Sequence, residues 1–155
     1  MPNAKMDMLT DNDLAYLAGI VDGEGCIRVA RHSTYPHRFN CILTVTNTNP
    51  VLMDWLKQTF GGNISTHQPS NSNHKISYVW TISGSNSVKL VKIVKPFLKL
   101  KVEQASLLLS FWAIHESWNV RTGAPTFWGY TEQAAAVAEA MRILNKKGAV
   151  EDAKL

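Results

Sequence analysis

The chain has 155 residues, 45% of them apolar and 18% charged, enough apolar material for one sizeable core and too much for a disordered segment. No apolar run approaches the roughly 20 residues of a membrane helix, and residues 1–13 are polar and mixed in charge, unlike a secretory signal. Two cysteines, Cys26 and Cys41, fit a reduced intracellular protein and exclude a disulfide framework.

In chain order, residues 13–21 read as a helix with Asp11 or Thr10 as N-cap. Its stretch from Leu14 to Val21 carries no charge and is apolar on every side, the pattern of a buried helix. Residues 26–32 and 39–46 alternate as two half-buried strands, joined by the proline-containing turn 33–37. Asn49-Pro50 is a helix start, an N-cap followed by proline at the first helical position, and Gly61-Gly62 should end that helix. A second strand pair, 63–67 and 75–83, flanks the polar loop 68–74. Helices are expected at 85–94, 102–118 and 131–147, with an ordered loop at 119–130. The order α-β-β-α-β-β-α predicts an α+β fold: a four-stranded antiparallel sheet with helices on one face. One domain is expected over residues 1–155, with its core at about 10–118 and a C-terminal loop and helix at 119–155.

Alternation divides the strands into two faces. Ile27, Val29, Phe39, Cys41, Leu43 and Val45, then Ile64, Ile76, Tyr78, Trp80 and Ile82, take the core side. Arg28, Ala30, His32, Arg38, Asn40, Ile42, Thr44 and Thr46, with Ser65, His67, Lys75, Ser77, Val79 and Thr81, take the other. Its polar side chains suit phosphates and base edges, although any one-sided antiparallel sheet has a polar outer face. Residues 26–101 hold ten Lys/Arg and a single acid, Asp54, together with four of the five histidines, whereas the whole chain carries only +4. That asymmetry suggests a polyanion, most often nucleic acid; a solvated basic face is the alternative.

The most specific string is Leu17-Ala-Gly-Ile-Val-Asp-Gly-Glu-Gly25. Ala15, Gly19 and Gly23 recur at spacing four, a stripe of small residues that lets another backbone come close, while Leu14, Leu17, Ala18 and Val21 form the core-facing stripe. A helix apolar on both sides needs two burial partners: one is its own core, and a second copy of itself could be the other. Asp22 and Glu24 fall where this helix ends, against the negative end of its dipole. Two acids so placed call for a compensating cation, and hard oxygen ligands suit Mg²⁺; the alternative is a glycine C-cap with two solvated acids.

This string resembles the LAGLIDADG homing endonucleases. The αββαββα order agrees with that family's fold, and Lys95-Pro-Phe-Leu-Lys-Leu-Lys101 followed by Gln104-Ala105 looks like the segment that delivers its active-site lysine. The similarity spans about residues 14–118. One copy of the motif implies the homodimeric class, similar to the small chloroplast-intron enzymes. The resemblance implies Glu24 as ligand of Mg²⁺ (or Mn²⁺), with the Gly23 carbonyl beside it. Lys101 would stand near the attacking water or the developing charge, and Asn47 would orient water. Arg28, Ala30, His32, Arg38, Asn40, Ile42, Thr44, Ser65, His67, Lys75, Ser77 and Val79 would face double-stranded DNA. Ala15 and Gly19 would form the dimer interface with Asp22, which also shapes the helix end. One departure is Val51, where some relatives carry a basic residue; Lys99 or a water network would take its place.

The function so implied is site-specific double-strand DNA cleavage for a mobile intron, on a long pseudo-palindromic target, in a prokaryotic cytoplasm or an organelle. The rivals are an RNA-binding intron maturase and a catalytically inactive DNA-binding regulator on the same fold. Cys26, Cys41 and His115 read as packing residues. Trp112, Trp118, Phe127 and Trp128 read as core or docking-loop residues, and Lys146 and Lys147 as cations ending the last helix.

Overall fold

A computed structural model of the chain describes residues 6–34, 39–71, 73–122 and 132–152. After a short 3-10 turn at Met6–Met8 come α1 (Asp11–Glu24), β1 (Gly25–Arg31), β2 (Phe39–Asn47), α2 (Pro50–Phe60), β3 (Asn63–His67), β4 (Ser77–Ser83), α3 (Gly84–Val94), α4 (Val102–Thr122) and α5 (Glu132–Asp152). A second 3-10 turn, Lys95–Phe97, leads from α3 towards α4. The strands form one antiparallel sheet in the order β1-β2-β4-β3.

The helix starts follow from local chemistry. Thr10 caps α1 in a capping box: its hydroxyl accepts from Asp13 N at 3.2 Å while the Asp13 carboxylate accepts from Thr10 N at 3.1 Å. The hydrogen bond from the Thr10 side chain holds the Asp13 carboxyl below its usual range. Asn49 caps α2 through Val51 N at 2.9 Å, with Pro50 next. Gly61 ends α2 at φ +80, a conformation that L side chains rarely adopt. Its carbonyl accepts from Trp80 Nε1 at 2.8 Å, which ties the helix end to β4.

The core lies between the apolar sheet face and the helices. Leu17 and Val21 of α1, Ile27, Leu43, Val45 and Trp80 of the sheet, Met53 and Leu56 of α2, Leu90 of α3, and Leu108 and Phe111 of α4 are all buried. Burying each such side chain contributes about 1.5–3 kcal/mol. Ser87 is buried among them, with its hydroxyl 2.9 Å from Cys41 O and 2.7 Å from Gly84 O. α5 lies along the outer edge of β1, where Asn145 Nδ2 donates to Ile27 O at 3.0 Å and occupies an edge carbonyl.

Several expectations shift. α1 runs through Glu24, so both motif acids sit in its last turn rather than in a turn beyond it. β4 begins at Ser77, not 75, because Lys75 and Ile76 still belong to the loop; Ile76 is 40% exposed instead of facing the core. α4 continues to Thr122, so the expected loop at 119–130 starts with helix, and its residues 123–130, including Phe127 and Trp128, lie outside the described residues. α5 continues to Asp152, so Lys146 and Lys147 are inside the helix and no terminal dipole accounts for them. His115 stacks on Trp112 at 4.5 Å between ring centroids, and burial lowers its pKa.

Candidate active site

α1 passes into β1 with no loop. Gly25 N donates to Val21 O and the chain leaves the helix at once. A Cβ at Gly25 would stand 2.7 Å from Val21 Cα and 2.8 Å from Val21 O, so only glycine lets the strand start that close to the helix. This junction carries Glu24 at the surface, directly before the first residue of the sheet.

Asn47, the last residue of β2, reaches Glu24: its Nδ2 donates to Glu24 Oε2. The Asn47 side-chain oxygen accepts from Asn49 N at 2.8 Å, so the amide is oriented by the approach to α2. Sequence reading expected both residues at the site, and the fold brings them together from 23 residues apart. A carboxylate has about four lone-pair positions, so one bond to Asn47 leaves Glu24 able to take a hard cation. Gly23 O belongs to the last turn, where carbonyls have no intrahelical amide. Both donors are oxygens of the kind that suits Mg²⁺. Among the described residues no three His, Cys, Asp or Glu side chains gather in one place.

Asp22 and Lys101 bind each other's backbone. The Asp22 carboxylate accepts from Lys99 N at 2.7 Å, Leu100 N at 3.2 Å and Lys101 N at 3.0 Å. Lys101 Nζ donates to Val21 O at 2.9 Å and Asp22 O at 2.7 Å, two carbonyls of the last turn of α1. The cation that the helix end requires is therefore Lys101, and Asp22 is turned towards its own chain. Val51 is 74% exposed at the start of α2.

Beside Glu24 and Asn47 an open groove of about 410 Å³ runs along α1, lined by Ala15, Tyr16, Gly19, Ile20, Gly23 and Leu52 as well. A Cβ at Gly19 or Gly23 would meet nothing within 4 Å. Each glycine inside a helix costs roughly 0.5–1 kcal/mol relative to alanine, and no packing among the described residues requires it at either position. Ala15 and Gly19 line this groove, and Asp22 is not among its lining residues.

Register fixes the outer sheet face. Arg28 stands opposite Ile42, Ala30 opposite Asn40, Thr44 opposite Thr81, Ser65 opposite Val79 and His67 opposite Ser77, so these side chains share one surface. His32 lies just past β1 and Lys75 just before β4, both exposed; Arg38 lies outside the described residues. Asn40 has a second task that the sequence did not signal: its Oδ1 accepts from Gly84 N at 3.2 Å and helps to start α3.

Residues 17–114 match the model of the LAGLIDADG endonuclease family. The chain belongs to this family. No curated protein matches its sequence. Solved structures similar to this chain include the homing endonuclease I-CvuI in complex with its target, at TM-score 0.64 and 20% identity over 86% of this chain and 82% of that one. An archaeal intron-encoded homing endonuclease complexed with DNA has TM-score 0.64 and 14% identity, covering 86% and 84%. The homing endonuclease I-TnaI has TM-score 0.55 and 17% identity, covering 86% and 96%. At these identities the likeness establishes a shared LAGLIDADG fold. No helix among the described residues is long and apolar enough to cross a membrane.

Proposed function

We propose that this LAGLIDADG protein is a homodimeric, divalent-metal-dependent endonuclease that cuts double-stranded DNA at one site for a mobile intron. The observation that carries this reading is Glu24, held by Asn47 at an open helix end, between an unfilled small-residue groove and a one-sided polar sheet. I-CvuI was solved with its target in 2 mM Ca, which supports a divalent ion in the fold. When bound at Glu24 and Gly23 O, Mg²⁺ or Mn²⁺ supplies water activation and charge neutralisation at the scissile phosphate.

The chain's own residues do the rest. Asn47 orients the Glu24 carboxylate and a water. Lys101 neutralises the α1 terminus with two of its three N–H donors, and the third remains for a phosphoryl oxygen. Two copies packed through Ala15, Gly19 and Gly23 bring two Glu24 carboxylates to the two-fold axis, each adding an oxygen ligand to the site. Each copy then lays its outer sheet face on one half-site, so the target is approximately palindromic.

The test uses a duplex with the uninterrupted insertion site, taken from the gene that flanks this reading frame. Double-strand cleavage in Mg²⁺, abolished by EDTA, supports the reading. Binding to that duplex without cleavage in Mg²⁺ or Mn²⁺ favours an inactive regulator, and preference for the intron transcript favours a maturase.

A further inference from the structure

The last turn of α1 and the approach to α4 are joined by an exchange of side chains. The Asp22 carboxylate receives three successive backbone amides, those of Lys99, Leu100 and Lys101, at 2.7, 3.2 and 3.0 Å. Lys101 returns the contact through its ammonium, on the carbonyls of Val21 and Asp22. Each residue thus binds the backbone that carries the other, across nearly 80 positions of sequence.

The charges are well placed for this. Consecutive amides make an anion-binding concavity, and the turn 99–101 lies at the positive N-terminal end of α4. The ammonium lies on the negative end of α1. Aspartate has one methylene between backbone and carboxylate, so three amides fixed to it leave the turn little freedom. Asparagine has one acceptor oxygen, and its NH₂ would face N–H donors.

We propose that Asp22 is a positioning residue for cleavage: by fixing the turn 99–101 it sets the Lys101 ammonium, and the end of α1 two residues before Glu24, in one arrangement. This rests on the nuclease reading above. The Asp22 carboxylate is turned to the amides of its own chain, so its effect on cleavage runs through Lys101 and the end of α1.

The test compares the full-length wild type with Asp22→Asn, Lys101→Met and the double variant. It measures sedimentation, duplex affinity in Ca²⁺, amide exchange at residues 99–101, and single-turnover cleavage in Mg²⁺. Asp22→Asn should remain dimeric, bind the duplex as wild type does and exchange faster at 99–101. Its cleavage rate should fall about 10–100-fold, the usual effect of losing a group that orients site residues. Combined with Lys101→Met it should cost no more than Lys101→Met alone, since the two act as a unit.

Cleavage at the wild-type rate despite faster exchange would leave Asp22 a purely structural tie and overturn the proposal, as would losses that multiply in the double variant. If Asp22→Asn does not fold, Asp22→Glu carries the test. It keeps the charge but displaces the oxygens by a methylene; a slowed rate at unchanged affinity supports the proposal, and an unchanged rate overturns it. A wild-type protein that cuts no duplex, while Asp22→Asn still speeds exchange at 99–101, sinks the nuclease reading and the positioning role with it, but leaves the clamp standing.

Discussion

The side-chain amide of Asn47 bridges two elements: its nitrogen donates to Glu24 at the end of α1, and its oxygen accepts from the backbone of Asn49, which caps α2. Three consecutive functions, a strand end, a carboxylate orienter and a helix cap, therefore follow within Asn47–Asn49. Because α2 holds Asn47 and Asn47 holds Glu24, the carboxylate is pre-set before any ligand arrives, which is what a site needs to act without reorganisation.

Glu24→Gln keeps the side chain's shape and removes its charge. Cleavage should fall to background while duplex binding in Ca²⁺ persists. Asn47→Ala should lower the cleavage rate about 10–100-fold through loss of orientation. Purified Glu24→Gln that cuts at the wild-type rate would show that the metal is held elsewhere.

Gly19→Leu separates folding from assembly. A Cβ there meets nothing within 4 Å among the described residues, and leucine is a better helix former than glycine by roughly 1 kcal/mol. Thermal stability of the protomer should therefore hold or rise, while sedimentation reports monomer and cleavage disappears. An active Gly19→Leu dimer would place the interface on another surface.

The fold was legible where a local rule and the tertiary environment agree. Asn49-Pro50 and Gly61 set the ends of α2, and alternation placed Arg28, Ala30, Asn40, Ile42 and Thr44 together on the outer face. Strand limits were less legible, because Lys75 and Ile76 continue the alternation of β4 without being paired. At the site, Glu24 was readable from the motif and Asn47 only from the family resemblance, and the fold brings the two together. The role of Asp22 was not readable, since its partners are backbone amides that any residue supplies; the sign was only that an acid stood against a helix dipole. Asn40 and Asn145 were hidden for the same reason: each bonds to a backbone atom far away in sequence.

The two thiols should differ sharply in reactivity. Cys41 is buried on the core face of β2, and burial pushes its thiol up to about 12. The attacking species is the thiolate, so Cys41 should resist alkylation at neutral pH until the protein unfolds. Cys26 is half-buried at the start of β1, in the cleft beside α5, and should label in the native state. Native Cys26→Ser should then take up no reagent; rapid labelling of that variant would show that the sheet opens on the labelling timescale.

Arg28 tests how the sheet meets DNA. Its side chain is exposed on the outer face opposite Ile42, with Asn40 and Thr44 on the same surface. An arginine standing in the major groove commonly contacts guanine through two hydrogen bonds, and each such pair discriminates by about 1–3 kcal/mol. Arg28→Ala should therefore relax preference at one base position in each half-site, symmetrically about the target centre. A phosphate contact would instead weaken all sequences about equally and lower the salt slope by about one. Cleavage profiles over a library of single-base target variants, measured for wild type and Arg28→Ala, separate the two. An unchanged profile with weaker binding overall would assign Arg28 to the backbone, and base reading would then have to fall to Asn40, Thr44 and the β3–β4 half of the face.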